Sequence, residues 1–547
     1  MARAIQRQKP IMIPRQFIQI FFSVLLLLGT MLSLDAHAQN NTEVAQAEQL
    51  LEALDVRSYD AKGEAIKQLA QSDLPQKDEW LEALSDGRLQ RQKEDGRFVI
   101  VINDKGREWP IKDAISGEEL GTATRRDLDK VRINNQLRSQ LQGLAATADL
   151  DSPDTARREA AAKRLIGEVD ETTADSVAVR LKQESDSGVR ERLNTALGLY
   201  RLEQGEADAL ETLKGSLDPA VRNALRPIAS GKGPLADEAR AVLGGIEQKL
   251  KFNRWLQTLY FGISMGSVLV LAAIGLAITF GVMGVINMAH GELIMLGAYT
   301  TYVIQQLLPG QPGLALGLSI PAGFLVAAAF GIAIERGVIR FLKGRPLETL
   351  LATFGISLIL QQLVRSVFSP LNRSVITPDW LQGSLVINDA LALTLNRLAV
   401  IAFCLVVFAA LMLIMRRTRL GLEVRAVTQN RAMARAMGVK ATRVDILTFG
   451  LGSGIAGLAG VALSQLTNVG PNMGQSYIID SFMVVVFGGV GNLWGTLVAG
   501  MSLGIVNQVI EPWAGAVLAK IMVLIFIILF IQKRPKGLFP QKGRAAE

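Results

Sequence analysis

The C-terminal part of the chain is a series of apolar runs, each long enough to cross a lipid bilayer. An α-helix needs roughly 20 residues to do so, and backbone groups inside a bilayer must be satisfied within the helix. Two shorter apolar pieces between Ser481 and Ile510 flank Gly-Gly-Val-Gly-Asn at 488–492, and either cross twice or re-enter. The pattern predicts an all-α, polytopic membrane domain with seven or nine crossings. The other candidate spans are 255–280, 285–304, 314–334, 349–367, 398–415, 446–466 and 517–531.

Charge is distributed unevenly along the 547 residues, although the formal net charge is only +8. Residues 251–547 carry 23 Lys and Arg against 10 Asp and Glu, whereas residues 39–250 carry 31 against 39. The latter block is about one third charged, as in soluble domains. A single soluble globule is therefore excluded. The basic pI does not indicate nucleic-acid binding, because the excess lies among membrane-length segments.

The N-terminus has the three-part layout of a secretory signal peptide. The first 15 residues contain four basic side chains, residues 17–34 are almost entirely apolar, and Ala36-His37-Ala38 is a small-x-small cleavage site. We expect a signal peptide over 1–38; a retained membrane anchor is the alternative. Either one exports the residues that follow to the outer side of a bacterial inner membrane.

Residues 39–250 predict an exported, mainly helical domain. The β-like run at 98–102, a turn, and a second run at 108–111 predict a small hairpin. Asp186-Ser-Gly-Val-Arg recurs 32 residues later as Asp218-Pro-Ala-Val-Arg, which resembles the helix pairs of HEAT-like repeats; chance similarity is the alternative. In such a unit the Asp caps a helix. The one cysteine, Cys404, lies elsewhere, so this domain has no disulfide.

Basic residues predict the orientation of the membrane domain. They are concentrated at 336–345, at 416–443 and after 531, and they are few at 305–313, 368–397 and 467–480. By the positive-inside rule the first group is cytoplasmic. An odd number of crossings from an exported start also ends inside. Both signals predict a periplasmic 39–250 block and a cytoplasmic C-terminus.

Polar residues in one predicted span are candidates for function, because ionisable groups inside a bilayer are costly. Asn287, His290 and Glu292 lie close together, with Gly284 and Gly291 beside them. They either line a route for a polar solute or form a hydrogen-bond cluster that locks helix packing. One His and one Glu are too few ligands for a metal site.

The cytoplasmic segment 421–440 predicts a short basic helix. Its Ala and Met residues recur with helical period at 432, 433, 436 and 437, and Gly438 is a natural C-terminal stop. Such a helix suits either docking in a groove of a cytoplasmic partner or contact with anionic lipid.

Four motifs, in order along 255–540, closely resemble those of the inner-membrane permeases of branched-chain amino-acid-type ABC importers. The added signal peptide and exported helical domain resemble the urea-transporting branch of that family. The motifs are Val285-Ile-Asn-Met-Ala-His-Gly-Glu-Leu293 with Met295-Leu-Gly-Ala-Tyr299; Arg425-Ala426 with Asn430, Ala434 and Gly438; Phe487-Gly-Gly-Val-Gly-Asn492; and Arg534-Pro-Lys-Gly-Leu-Phe539.

This resemblance implies a transport subunit, not an enzyme. The sequence has no Gly-x-x-x-x-Gly-Lys-[Ser/Thr] phosphate loop, and we expect no cofactor. The implied partners are a second related permease, two cytoplasmic ATPases, a periplasmic solute-binding protein and membrane lipid. Import of branched-chain amino acids or short amides, a membrane-anchored sensor and a passive channel are the alternatives to urea import.

The resemblance and the residue patterns together give three groups of candidate residues. The substrate-pathway candidates are Asn287, His290, Glu292, Gln361 and Asn492. The candidates for an ATPase coupling helix are Arg425, Asn430, Ala432, Arg435 and Gly438. The predicted structural glycines are Gly291, Gly297, Gly488, Gly489 and Gly491.

Overall fold

A computed structural model describes residues 44–540 except 73, 105 and 107. The predicted signal peptide lies outside the described residues. The chain divides into two compact units, one that ends at Ile246 and one that begins at Glu247.

The first half of the N-terminal unit combines four helices with a five-stranded antiparallel sheet. Trp80, which is fully buried, joins the two layers, since its indole N–H donates to the Ala114 carbonyl at 2.7 Å. The helices are α1 (44–54), α2 (Tyr59–Gln71), α3 (Lys77–Asp86) and α4 (Asn135–Asp149). The strands are β1 (Leu89–Gln92), β2 (Phe98–Val101), β3 (Glu108–Asp113), β4 (Glu119–Thr124) and β5 (Leu128–Lys130), in the order β4-β3-β2-β1-β5.

The predicted hairpin is confirmed as β2 and β3, with Val101 opposite Ile111. The sequence did not predict the three strands around it. Strand β1 reads Leu-Gln-Arg-Gln and β5 reads Leu-Asp-Lys, so neither has the apolar alternation that marks a strand. Strand β2, which is buried along its whole length, pairs with β1 on one side and with β3 on the other, and the free edge of β1 then pairs with β5.

The second half of this unit is a run of five helices. Asp154, Asp186 and Asp218, each 32 residues apart, are the N-caps of three of them, and each side chain accepts a hydrogen bond from the backbone N–H two residues on, at 2.8–3.0 Å. The predicted capping role of the repeated Asp is thus confirmed. The helices are α5 (Thr155–Arg164), α6 (Glu171–Gln183), α7 (Ser187–Glu203), α8 (Ala209–Leu213) and α9 (Pro219–Ala229).

A buried ion pair ties α5 to the end of α6. The Glu184 carboxylate accepts two hydrogen bonds from Arg158, at 2.9 and 3.1 Å, and one from Arg180 at 3.1 Å. Burial opposes ionisation of this carboxyl. The hydrogen bonds from Arg158 and the Asp186 N–H, with the charges of Arg158 and Arg180, outweigh burial and lower the pKa of Glu184 to about 2.

The second unit contains eleven helices and one hairpin in the described residues. The helices are α10 (Pro234–Met283, from Glu247 on), α11 (His290–Leu307), α12 (Pro312–Gly337), α13 (Pro346–Phe368), α14 (Leu395–Arg417), α15 (Arg419–Gln429), α16 (Arg431–Ala436), α17 (Ala441–Ser464), α18 (Met473–Gly488), α19 (Leu493–Ala514) and α20 (Ala516–Lys533). The hairpin pairs β6 (Ser384–Asn388) with β7 (Leu391–Thr394).

Within the part of the chain that the structure describes, seven helices are long and apolar enough to cross a membrane: α10, α12, α13, α14, α17, α19 and α20. The predicted span 285–304 differs, because α11 begins only at His290 and its polar residues keep it out of this set. The interrupted region 481–510 becomes two helices, α18 and α19. They separate where Gly489 and Gly491 adopt positive φ angles of 103° and 80°.

We expect Glu184→Gln to lower the melting temperature of the N-terminal unit by about 5–10 °C at pH 7, because it leaves the Arg158 charge without its buried partner. Heating the full-length protein with protease, and following cleavage within 44–246, measures this change. A carboxyl whose folded pKa is depressed stabilises the fold above its unfolded pKa, so the advantage of the wild type is complete above about pH 4.5 and disappears as the pH falls towards 2.

Glu159→Gln is the matched control. Glu159 pairs with Arg192 at 3.0 Å, but its side chain is 47% exposed, so its loss is expected to cost little. Equal shifts for the two variants would contradict a special role for the buried pair.

Candidate functional site

Helix α11 is packed against α17 and α18 through pairs of glycines. A Cβ atom at Gly297 would collide with the Gly457 carbonyl, and one at Gly291 would collide with the Gly474 carbonyl. The backbones therefore touch where the helices cross, as small residues allow inside membranes. Two of the five predicted structural glycines lie at these crossings.

The other three predicted glycines lie between α18 and α19. Gly488 and Gly495 bring these two helices into backbone contact. A Cβ at Gly489 would lie 2.7 Å from the Phe539 carbonyl oxygen, so the C-terminal tail closes over this turn. Gly491, with its positive φ, completes the turn.

Asn492, a predicted pathway residue, is the N-cap of α19. Its Oδ1 accepts from the Gly495 N–H at 3.1 Å, and its Nδ2 donates to the Phe539 carbonyl at 3.1 Å. These bonds begin α19 and hold the tail. The structure does not bring Asn492 together with Glu292 or Gln361.

Glu292 and Gln361, by contrast, lie in direct contact between α11 and α13. Glu292 Oε1 accepts from Gln361 Nε2 at 2.7 Å and from Ser357 Oγ at 3.0 Å. All three side chains are buried. Glu292 Oε2 has no hydrogen-bond partner among the residues that the structure describes. One acceptor of a buried acid is thus available between these helices.

Ser357 and Gln361 belong to a buried polar stripe along α13, which the sequence analysis missed. Polar residues recur every four positions from Thr349 and Thr353 to Ser357 and Gln361, and Arg365 continues the series. The Arg365 guanidinium donates to Asn472 Oδ1 at 2.6 Å. The opposite face of the helix, which includes Leu347, Leu351 and Ile359, is exposed. The i, i+4 spacing within an apolar span was the available signal.

His290 faces a different helix from Glu292. Its Nε2 lies 2.8 Å from the Ala272 carbonyl of α10, and the ring is fully buried beside Gly275. Two residues along a helix rotate a side chain by about 200°, so positions 290 and 292 lie on opposite faces. The ring nitrogen Nδ1 has no partner within the described parts of the chain.

Asn287 lies in the irregular segment between α10 and α11. Its Oδ1 accepts from the Ala289 N–H at 3.0 Å, and the adjacent Met288 N–H donates to Thr353 Oγ1 at 3.1 Å. The Nδ2 group of Asn287 is buried and has no partner in the described structure. This segment therefore joins the polar stripe of α13 through its backbone.

The predicted helix over 421–440 is two helices. Asn430 adopts an extended conformation, with φ at −152°, and its side chain accepts from the Met433 N–H at 2.9 Å to begin α16. An N-capping side chain in mid-segment ends α15 at Gln429, which a hydrophobic period alone does not reveal. Gly438, at φ 87°, follows the end of α16.

One face of α16 and the residues just after it are exposed. Met433 is 60% and Met437 78% exposed, and Ala432, Arg435 and Ala436 are also exposed. Only Ala434 of this helix is buried. The Ala and Met stripe is therefore an apolar face that the described residues do not cover.

A charged cluster connects α16 to α17 and α12. Asp445, on α17, is almost completely buried and forms ion pairs with Arg431 of α16 and with Lys343, which follows α12. Glu335, on α12, is also buried and lies within electrostatic reach of Asp445 and Lys343. These four residues form the charge junction. The sequence analysis did not single them out.

The family comparison covers the second unit. Residues 258–531 match the family described as "Branched-chain amino acid transport system / permease component". No solved structure matches the chain.

Three relatives show what the matching part of the chain is similar to. LivH, the high-affinity branched-chain amino acid transport system permease of Escherichia coli K12, is 30% identical over 299 residues, which are 53% of this chain and 96% of LivH. The corresponding Pseudomonas aeruginosa permease BraD is 29% identical over 52% of this chain and 95% of its own length. The Escherichia coli K12 ribose import permease RbsC is 26% identical over 46% and 77%.

The matched family is one of permease components, which implies an ATPase and a substrate-binding protein as partners. With α11 and α13 enclosing a polar cluster in a bundle of membrane-length helices, and with half of the chain matched, the chain belongs to the permease-component family of branched-chain amino acid ABC transport systems.

Proposed function

We propose that this chain forms part of the membrane pathway of an ATP-driven importer, and that the solute is urea. The proposed assembly has a second related permease, two cytoplasmic ATPases and a periplasmic solute-binding protein. The chain lies in the inner membrane, with 39–250 in the periplasm and the C-terminus in the cytoplasm. The N-terminal unit supports the urea branch, because an exported helical domain before the membrane unit resembles that branch, whereas the match to LivH takes up 96% of LivH and only 53% of this chain.

The polar contact between α11 and α13 is the observation that carries the proposal. Ser357 and Gln361 both bond Glu292 from α13, and Thr353 lies four residues before Ser357 on the same stripe. A small neutral solute such as urea passes between hydrogen-bond donors and acceptors and needs no buried countercharge. In this proposal the stripe offers hydroxyl and amide groups in succession, Glu292 adds a carboxyl group from α11, and Asn287 adds an amide. The alternative role for the cluster is to lock helix packing.

Branched-chain amino acids are the second candidate solute. The printed names of LivH and BraD favour them. Glu292 and Arg365 are an acidic and a basic side chain within electrostatic reach of each other, which suits the two charged groups of an amino acid.

Uptake measurements separate the two solutes. A strain that lacks this chain is expected to lose uptake of micromolar labelled urea and to retain uptake of labelled leucine. The chain supplied from a plasmid should restore urea uptake. Unimpaired urea uptake, with leucine uptake lost, would refute urea as the solute and favour the second candidate.

We expect Gln361→Leu to reduce uptake at low solute concentration about tenfold, because a lost buried hydrogen bond costs about 1–2 kcal/mol. Initial rates in membrane vesicles measure this. Gln362→Leu is the matched control, since Gln362 is the exposed neighbour on the same helix. The amount and the melting temperature of each variant must also be compared. Reduced stability with normal uptake per folded molecule would favour the packing role.

The exposed stripe at 432–437 is the proposed docking surface for an ATPase. It is apolar, uncovered by the described residues and next to the charge junction, through which Arg431 and Asp445 connect it to α17. Displacement of α16 by nucleotide-driven closure would thus act on the helix that packs against α11.

We expect the double substitution Met433→Glu and Met437→Glu to abolish ATPase co-purification and solute uptake, since it places two charges in an apolar contact. Met433→Leu with Met437→Leu preserves the apolar face and should retain both activities. Normal uptake by the glutamate variant would contradict the docking surface and would favour a sensor or interaction protein.

A further inference from the structure

A cavity of about 610 Å³ lies among the ends of α10, α14, α15 and α19. Arg416, the next-to-last residue of α14, and Arg425 of α15 line it. These ends lie in the region that the positive-inside rule predicts to be cytoplasmic. The cavity lies apart from the polar contact between α11 and α13, because its lining includes none of Glu292, Ser357 and Gln361.

The positive charges of this cavity are not neutralised by the described parts of the chain. Arg425 donates to the backbone carbonyl of Met415, and the Arg416 guanidinium has no hydrogen bond or ion pair with any described residue. No Asp or Glu is among the described residues that line the cavity. Two guanidinium groups without a carboxylate indicate a site for an anion.

The remaining walls have two distinct characters. Thr428 and Asn492 are polar and lie with the arginines around the cavity. Ile278, Met412 and Trp494 provide apolar walls. Apolar walls do not stabilise a free inorganic anion, whereas a phospholipid presents a phosphate beside acyl chains that can pack against them. Basic pockets between membrane helices bind lipid head groups of this kind.

We propose that this cavity binds an anionic phospholipid, with its phosphate on Arg416 and Arg425 and its acyl chains along Met412 and Trp494. The break at Asn430 then divides the cytoplasmic segment into two parts with different partners. Helix α15 contacts lipid, and the exposed stripe that begins in α16 is left for a protein. The lipid site does not depend on the identity of the transported solute.

Native mass spectrometry of the full-length chain, purified in neutral detergent with the subunits that accompany it, tests the proposal. Titration with phosphatidylglycerol should show one tightly held molecule per chain, and phosphatidylcholine should bind far more weakly. Replacement of both Arg416 and Arg425 by Gln is expected to weaken phosphatidylglycerol binding about thirtyfold, because two cations near the lipid phosphate are lost.

The matched control is Arg417→Gln with Arg419→Gln. These arginines are exposed neighbours that do not line the cavity, and they should leave the affinity unchanged. An equal loss in this control would overturn the proposal in favour of non-specific attraction. Saturation of the site by millimolar sodium phosphate, with displacement of the lipid, would overturn it in favour of a free anion.

Two further results test whether a protein side chain fills the cavity and whether misfolding explains the loss of lipid. Lipid retention that arises only after the ATPase is removed would overturn the proposal, because a protein side chain would then occupy the cavity. Unchanged melting temperatures for the Gln variants in phosphatidylcholine, together with the selective loss of phosphatidylglycerol, would support it by excluding misfolding as the cause.

Discussion

Backbone contact at glycines is the constraint on which the membrane unit depends. Lipid tails are as apolar as leucine, so helices in a bilayer gain little from burying apolar side chains against each other. Close packing of the helix backbones is therefore the interaction left to hold the helices together. Gly297 with Gly457, and Gly291 with Gly474, bring α11 against two helices with no room for a side chain. Helix α11 is therefore fixed in both position and rotation.

That rotation determines where its polar groups lie. With the glycine faces of α11 against α17 and α18, His290 faces α10 and Glu292 faces α13. Glu292, the one acid of α11, thus contacts α13. Among the described residues of this unit, α13 alone shows a buried polar stripe with a four-residue spacing. Side chains two positions apart in the sequence consequently serve two separate interfaces, one with a backbone carbonyl and one with an amide and a hydroxyl.

Much of this architecture could be predicted from the sequence, because helices in a bilayer must be long, apolar and internally hydrogen bonded. Six of the seven separate spans, the capping aspartates, the family and the central hairpin could all be predicted. Long-range partners were not. Strands β1 and β5 carry no apolar alternation, and the pairing of Asp445 with Lys343 joins residues 102 positions apart. The break at Asn430 was hidden because a capping side chain does not interrupt an apolar stripe.

The charge junction has a consequence for how such chains diverge. It places two partly exposed cations, Arg431 and Lys343, beside two buried carboxyl groups, Asp445 and Glu335, so its acidic and basic groups are equal in number. Losing one member leaves an uncompensated charge between helices, which is far more costly than losing a neutral pair together. A protein with a single substitution at one of these positions is therefore less stable than one in which a pair is replaced together. The four positions are expected to be inherited as a set, and lineages that lack one should have replaced its counterpart as well.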